Sequence, residues 1–541
     1  MQKVIRAILR YNFTFLCLVY LLSVCFFFNQ RFLISVYSPF VLANVVFIFW
    51  MLYCLSKIKY SFPVLFILAY IVAFDSYFAF VYKMPMSVSI MASIFETSAS
   101  ESEEAVSNGL FGAIGVIVFT LFLFYMVRKE FGRLSFSWVK TMLAGGLIAV
   151  VILSGFIFVN FYYELKGGKK YKLEFSSNTL LVTQEISSYT SPFVINDIIA
   201  IIGYQHEKAK MQKYEHQIRS LPEYISFDLS NPASDKIFLV IGESSTRKHY
   251  SLYGYPVPTT PYLDELHRGD SLLCLSYYDG ISSSAMTRDA LRMSLSFSTP
   301  FDQDVFFTRK NVIELANDAG YETIWLSNQD KLGLHDTYTG FIASGADHIR
   351  FSSEKEKNDL KLIDLVDEYY KESKKQFFVI HLYGSHIQYK NRYDKVDESA
   401  IVCDNDDQIC QYDRSIHHTD RVLSGIAEYV AKESSSCMLY FSDHGEKVGI
   451  GHGLLTVGKE QFEIPYLTVN NSQVPVDYIV GKYIDKESNL LNNLNSIFIL
   501  SEMMGYKVTD ERARKALHEA RYIYHVDRNT YLFEEIEKKL Y

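Results

Sequence analysis

The feature that most constrains this chain is a series of five apolar segments in its first third. Each is long enough to cross a bilayer, which takes about 20 helical residues. They lie within Tyr11–Phe28, Val36–Leu55, Phe62–Tyr82, Leu110–Val127 and Met142–Phe161. One such segment could be a buried core helix. Five in succession, each bounded by charge or turn residues, predict a membrane domain. The first does not read as a cleavable signal peptide, because no small-residue cleavage site follows it and further spans do.

Lys and Arg in short loops set orientation. Lys3, Arg6 and Arg10 precede the first span, Lys57 and Lys59 separate the second from the third, and Arg128, Lys129, Arg133 and Lys140 separate the fourth from the fifth. The loop expected after the third span carries Glu96, Glu101, Glu103 and Glu104 instead. This alternation predicts a cytoplasmic N-terminus and places everything after Phe161 outside the cytoplasm. Asp75, within the third span, is a functional candidate because acids inside membranes are costly. Its place near the span's end also fits an acid facing water. Lys166–Lys172 is a basic juxtamembrane stretch suited to anionic headgroups. Pro192, Ile195 and Ile198–Ile202 predict a helix on the membrane surface, followed by a polar helix over Glu207–Arg219. The predicted organisation is a transmembrane domain over 1–162, a juxtamembrane connector over 163–235 and an exported catalytic domain over 236–541. The connector reads equally well as an N-terminal addition to the soluble fold.

From Lys236 the pattern changes to short apolar runs alternating with helical stretches. Ile237–Ile241, Glu322–Leu326, Phe377–Leu382 and Cys437–Phe441 read as strands, with Leu360–Tyr370 and Arg414–Ala431 as helices between them. Such alternation predicts an α/β domain: a mostly parallel sheet covered by helices on both faces. Polar residues follow each strand: Gly242-Glu243-Ser244, Ser327-Asn328-Gln329, Tyr383-Gly384-Ser385-His386 and Ser442-Asp443-His444-Gly445. The carboxyl edge of an open α/β sheet is where ligands bind. Glu243, Asp443 and His444 together offer two carboxylates and an imidazole from two strand ends, a set suited to Zn²⁺ or Mn²⁺ with a position left open. Adjacent strand residues point to opposite faces, so Asp443 and His444 converge only if the chain turns, which Gly445 permits. A hydroxyl-rich turn, Ser282-Ser283-Ser284 with Thr287, precedes a helical stretch at Ala290–Leu295 and could hold an anion at a helix start. An ordinary helix cap explains it as well, and any of the four hydroxyls could be the functional one.

The net charge of −8, from 53 basic and 61 acidic residues, argues against a nucleic-acid binder, which needs a basic face. Seven cysteines are too few for a disulfide scaffold. Cys403 and Cys410 flank the acidic loop Asp404-Asn405-Asp406-Asp407. Export favours a disulfide between them, although their spacing leaves two free thiols possible. The loop lacks the full pattern of an EF-hand and reads as solvated surface.

With these residues in view, the sequence resembles the membrane-bound phosphoethanolamine transferases of the alkaline phosphatase/sulfatase superfamily. The resemblance is carried by Val240-Ile241-Gly242-Glu243-Ser244, Leu252-Tyr253-Gly254-Tyr255-Pro256, Thr259-Thr260-Pro261, His381-Leu382-Tyr383-Gly384-Ser385-His386, Tyr412-Asp413-Arg414-Ser415-Ile416 with Asp420, Ser442-Asp443-His444-Gly445-Glu446 and His452-Gly453. It implies five spans and an exported sulfatase-like domain, in a bacterial inner membrane with the catalytic domain in the periplasm. It implies Thr287 as the nucleophile, with Glu243, Thr287, Asp443 and His444 as metal ligands. His386 and His452 would hold the phosphoryl group or a second metal. The implied cofactor is one or two zinc ions, Mn²⁺ being the lesser alternative.

The implied donor is phosphatidylethanolamine, and the implied acceptor is lipopolysaccharide or another envelope glycan. The His381–Lys390 stretch resembles the branch acting on lipopolysaccharide core heptose more than the lipid A branch, whose Cys after the threonine and most of whose disulfide cysteines are missing. Asn328 and Lys331 are candidate substrate contacts. The alternatives are a glycerol-phosphate transferase of the same superfamily and a catalytically inactive membrane sensor or scaffold. A soluble-substrate phosphatase or sulfatase would have no use for the spans.

Overall fold

The computed structural model describes residues 11–29, 39–82, 86–96, 99–135, 137, 140–141, 144–147, 193–214, 217–228, 231–269, 273–329, 337–351, 358–455, 457–526 and 529–540. The chain divides into two units, residues 1–209 and 210–541.

In the first unit the apolar segments form the helices Asn12–Asn29, Pro39–Ser56, Phe62–Tyr77 (continued by a π-helical turn, Phe78–Tyr82) and Ala99–Phe131. Cys17, Leu21, Ile48, Leu52, Leu65, Leu68, Val72, Leu123 and Phe124 close into one core. The outward faces are apolar too, with Phe15, Val19, Val46, Phe66, Ile67, Val118 and Phe122 exposed. A helix apolar all round belongs in a protein interior or in lipid, and these outward residues are exposed among the described residues. Among the described residues, two helices, Phe62–Phe80 and Gly112–Phe131, are long and apolar enough to cross a membrane, and Asn12–Cys25 and Asn44–Ser56 are shorter apolar stretches. Most of the fifth segment, Met142–Phe161, lies outside the described residues, as do Lys3, Arg6, Arg10 and Lys166–Lys172.

Two basic loops meet at one end of this bundle. Lys57 donates to the carbonyls of Phe131, Gly132 and Leu134, while Arg128 donates to those of Leu55 and Ile58. Each cation thereby satisfies helix-terminal carbonyls of the other segment.

Three expectations are corrected in this unit. The acidic stretch after the third span is helical, because Val88–Glu96 is a helix and Glu101, Glu103 and Glu104 fall within Ala99–Phe131. A single helix, Val194–Tyr214, stands where two were expected. Asp75 does not face water. It is buried, and its Oδ2 accepts the backbone N–H of Phe193 at 2.8 Å while Oδ1 has no hydrogen-bond partner.

The second unit is built on an eight-stranded sheet in the order β5-β4-β6-β2-β7-β8-β3-β9. The strands are β2 (Lys236–Gly242), β3 (Cys274–Ile281), β4 (Glu322–Ser327), β5 (His348–Phe351), β6 (Gln376–His381), β7 (Ser436–Ser442), β8 (Glu463–Asn471) and β9 (Leu491–Asn492). A separate ribbon pairs β1 (Ile225–Phe227) with β10 (Tyr506–Val508). Within the eight-stranded sheet every pairing is parallel except those of β8, which runs against both β7 and β3. Period-two alternation sends Ile237, Leu239, Ile241, Phe377, Val379 and Leu439 into one core and Phe238, Val240, Phe378, Ile380 and Met438 into the other. Helices Val312–Asp318 and Ser496–Met503 pack on the first core, and Lys361–Tyr369 and Gln408–Lys432 on the second. This is the covered, mostly parallel sheet expected from the sequence. Reading it missed β3 and β8, whose mixed polar and apolar residues blur the strand signal, and the short strands β5 and β9. Cys403 and Cys410 form a disulfide.

Candidate active site

β6, β2 and β7 are neighbours in register, with Ile241 opposite His381 and Gly242 opposite Ser442. Their carboxyl ends therefore bring Tyr383–His386, Glu243 and Asp443–His444 together, and β3 delivers the segment leading to Thr287 from the same edge. The crossing is tight. Ser385 N–H donates to the Glu243 carbonyl at 3.0 Å and Asp443 N–H to that of Gly242 at 3.0 Å. A Cβ at Gly384, whose φ is +57°, would lie 2.6 Å from the Glu243 carbonyl oxygen, so only glycine fits. Gly445 is needed for a different reason: a Cβ there would collide with the backbone of Glu460 and Glu463.

Four side-chain groups converge. Thr287 Oγ1 donates to Glu243 Oε2 at 3.3 Å and lies 3.2 Å from His444 Nε2. His444 Nε2 is 3.4 Å from Glu243 Oε1 and 3.2 Å from Asp443 Oδ2. Glu243, Asp443 and His444 are buried, while Thr287 is only partly so. The nucleophile candidate is thus reachable and the acids behind it are not. His444 Nδ1 lies 3.0 Å from the Gly445 carbonyl, which can only accept, so Nδ1 carries the proton and Nε2 presents its lone pair to the cluster.

The donor set fits a metal ion. Asp443 Oδ1 accepts from the backbone of Ser244 (3.1 Å) and His444 (2.7 Å), but its buried Oδ2 has no hydrogen-bond partner and faces the cluster. Burial pushes the Asp443 carboxyl above its usual range, and burial followed by the neighbouring His452 holds His444 well below that of a free imidazole. A cation among these atoms would offset the cost of burying the carboxylate, and a neutral imidazole is the form that ligates metal. Glu243, His444 and His452 have ligand atoms within 4.8 Å of one another, which brings His452 closer to the donor set than expected.

The remaining candidates divide. The His452 ring centroid is 3.9 Å from that of His444 and 6.1 Å from that of His386. His386 Nδ1 is buried without a partner, and burial, then Arg392, keeps its pKa well below the usual value. Asn328 stands behind the site. It is fully buried and donates to Asp359 Oδ1 at 2.6 Å, and Asp359 in turn accepts the N–H groups of Tyr383 and Gly384. That arrangement supports the His386 loop and leaves the Asn328 amide no surface for substrate, correcting its expected role. Lys331 lies outside the described residues.

Ser282, Ser283 and Ser284 are fully buried, and Ser282 Oγ bonds the carbonyls of Ser284 and Asp443. The helix starts at Thr287, three residues earlier than expected. Of the four hydroxyls, only that of Thr287 meets Glu243 and His444.

Sequence reading gave no role to Glu446, which accepts from His452 Nδ1 at 2.7 Å and from Tyr389 OH at 2.7 Å. No periodicity ties it to His452, because the intervening loop is turned by glycines. A second carboxylate–imidazole group, Asp394, Asp397 and His418, also has ligand atoms within 4.8 Å. There Asp397 is saturated by His417 (2.7 Å), His418 (2.8 Å) and Arg421 (2.9 Å), and this accounts for it without a metal.

Comparison with known proteins agrees with this geometry. Residues 235–504 match the sulfatase family model. CptA, a phosphoethanolamine transferase of Salmonella typhimurium, is 27% identical over 397 residues, covering 68% of this chain and 65% of that protein. EptC, a phosphoethanolamine transferase of Escherichia coli K12, is 28% identical over 263 residues, covering 45% of each chain. The chain thus spans about half to two thirds of the length of the curated relatives it matches. In fold it is similar to the integral membrane lipooligosaccharide phosphoethanolamine transferase A of Neisseria meningitidis, with a TM-score of 0.60 at 17% identity over 91% of this chain and 95% of that one. Residues 235–504 thus form a sulfatase-family domain, in a chain similar in sequence to phosphoethanolamine transferases.

Proposed function

We propose that this protein transfers phosphoethanolamine from phosphatidylethanolamine to an envelope glycolipid, with lipopolysaccharide core heptose or lipid A as the acceptor. Relatives named for phosphoethanolamine transfer support the reading. One observation carries it: Thr287 is partly exposed, and its hydroxyl donates to Glu243 and lies 3.2 Å from His444 Nε2. Glu243, Asp443 and His444 would hold a zinc ion with Thr287 as a further donor. Bound there, zinc lowers the pKa of the hydroxyl and withdraws charge from the phosphoryl oxygens.

Thr287 Oγ attacks the phosphorus of the donor in line. The bond from phosphorus to the diacylglycerol oxygen breaks, and diacylglycerol leaves with a proton. Phosphoethanolamine remains as a diester on Thr287. An acceptor oxygen then attacks the same phosphorus and returns the hydroxyl to Thr287. His386 and His452 flank the place where phosphoryl charge develops, which is where a transferred phosphoryl group needs positive or donating partners.

The same reading gives the membrane unit five spans with a cytoplasmic N-terminus, over residues 1–162, and puts the domain over 236–541 in the periplasm of a bacterial inner membrane. Anchoring would keep the enzyme beside its lipid donor and so raise the encounter rate. The test is reconstitution in vesicles containing phosphatidylethanolamine, zinc and lipopolysaccharide. Diacylglycerol should be released, and a phosphoethanolamine adduct should be found by mass spectrometry on Thr287 and then on the glycolipid. Thr287→Ala should show neither. Diacylglycerol release that persists in this variant would sink the assignment.

A further inference from the structure

We propose that Glu446, held by Tyr389, is a positioning residue that fixes the His452 ring so that a nitrogen, rather than a carbon, faces the Glu243–His444 cluster. The proposal rests on the transfer reading above. Glu446 is 1% exposed, and each of its carboxylate oxygens has one donor: Tyr389 OH on Oε1 and His452 Nδ1 on Oε2, both at 2.7 Å. A carboxylate only accepts, so His452 Nδ1 carries a proton and Nε2 is left for the cluster. The ring lies against His444, with centroids 3.9 Å apart. Without the carboxylate it could flip and offer C–H where nitrogen now stands.

The chain between the two residues is shaped for this contact. It reverses over Lys447–Gly451, where Gly451 N–H donates to the Lys447 carbonyl at 2.9 Å, and Gly449 and Gly451 hold φ of +80° and +114°. Such a reversal requires glycine. Tyr389 OH also accepts the Gly449 N–H at 3.4 Å, so one phenol holds both the carboxylate and the loop. Beyond His452, Gly453 (φ +65°) packs against Met286, the residue before Thr287. Supporting carboxylates of this kind typically matter by about 10–100-fold when removed.

The experiment uses the full-length protein in phosphatidylethanolamine vesicles, with diacylglycerol release as the readout. Glu446→Ala should lower kcat about 10–100-fold with the KM for donor unchanged. Glu446→Gln, whose amide oxygen still accepts from Nδ1–H, should recover most of that loss. Tyr389→Phe should fall between the two. Residues acting as a unit are non-additive, so Glu446→Ala/His452→Ala should be no slower than His452→Ala alone. Multiplicative losses in the double variant, or equal losses in Glu446→Gln and Glu446→Ala, would overturn the proposal. Wild-type protein that releases no diacylglycerol sinks the transfer reading instead. Positioning is then read from a structure of Glu446→Ala, in which the His452 ring should be rotated. A ring left in place overturns it.

Discussion

The two units bury apolar residues by opposite logics. In the sheet unit, apolar residues alternate with period two into two cores, and chemistry appears where the alternation stops: Glu243 after Gly242, Asp443 after Ser442, and Tyr383–His386 after Leu382. In the helical unit both faces of the helices are apolar, so no break in pattern separates a packing residue from an outward one. Leu65 and Phe66 are equally hydrophobic, yet one is fully buried and the other 45% exposed. A sequence therefore marks a site in the first kind of unit and only a length in the second.

The largest effect that sharpens this comparison lies at the strand ends. Asp443→Asn replaces the oxygen that faces the cluster without a hydrogen-bond partner. Transfer should fall at least about 10³-fold, the scale at which removal of one member of a catalytic unit acts. Bound metal should fall with it, measured by elemental mass spectrometry on the purified protein. Chelation of the wild type should give the same loss, reversed by added zinc. Asp75 in the helical unit is equally buried and also keeps one oxygen without a hydrogen-bond partner. Its other oxygen is held by a backbone N–H, whereas Asp443 faces the His444 imidazole at 3.2 Å, so Asp75→Asn should leave metal content unchanged. An equal loss of metal from Asp75→Asn would break the distinction.

The four central parallel strands β4, β6, β2 and β7 and the polar residues after them were legible because both follow local rules. Buried parallel strands are continuous apolar runs, and the polar residue after each run lies at the ligand-binding edge. What stayed hidden depends on contacts distant in sequence. Asn328 looked like a substrate contact because it follows a strand, but Asp359, 31 residues on, takes its amide. Glu446 was visible as a residue but not as the partner of His452, since positive-φ glycines create that contact. β8 escaped because it is antiparallel and mixed in character. In the helical unit apolar length located the helices Asn12–Asn29, Pro39–Ser56, Phe62–Tyr77 and Ala99–Phe131, while the fate of Asp75 was illegible without the Phe193 contact.

Next in size is a charge network away from the site. Burial opposes ionisation of Asp397, but hydrogen bonds from His417 and His418 outweigh it and hold the carboxyl below its usual range. A carboxylate with a depressed folded pKa contributes stability above its unfolded pKa and loses it as pH falls through the folded one. Asp397→Asn leaves His417, His418 and Arg421 without their shared anion, and breaking such a buried pairing costs about 3–5 kcal/mol. Chemical denaturation of wild type and variant should show this gap at neutral pH, and the gap should narrow as pH drops below about 4, where the unfolded carboxylate protonates. A gap that widened in acid would show that the network does not hold Asp397 ionised.

The smallest effect compares one substitution in both units. Gly384→Ala must place a Cβ at positive φ against the Glu243 backbone. Strain of this kind costs about 1–3 kcal/mol, and the displaced strand end should lower metal affinity as well. Gly115, within the helix Ala99–Phe131, has nothing within 4 Å of an added Cβ. There alanine removes the glycine penalty in a helix, so Gly115→Ala should stabilise by about 0.8–1 kcal/mol at most, read as a small upward shift in the thermal midpoint of the detergent-solubilised protein. The two alanines should thus act with opposite sign. If Gly115→Ala instead destabilised as much as Gly384→Ala, the outward face of that helix would be a packed protein surface, and the lipid-facing reading of the unit would fail.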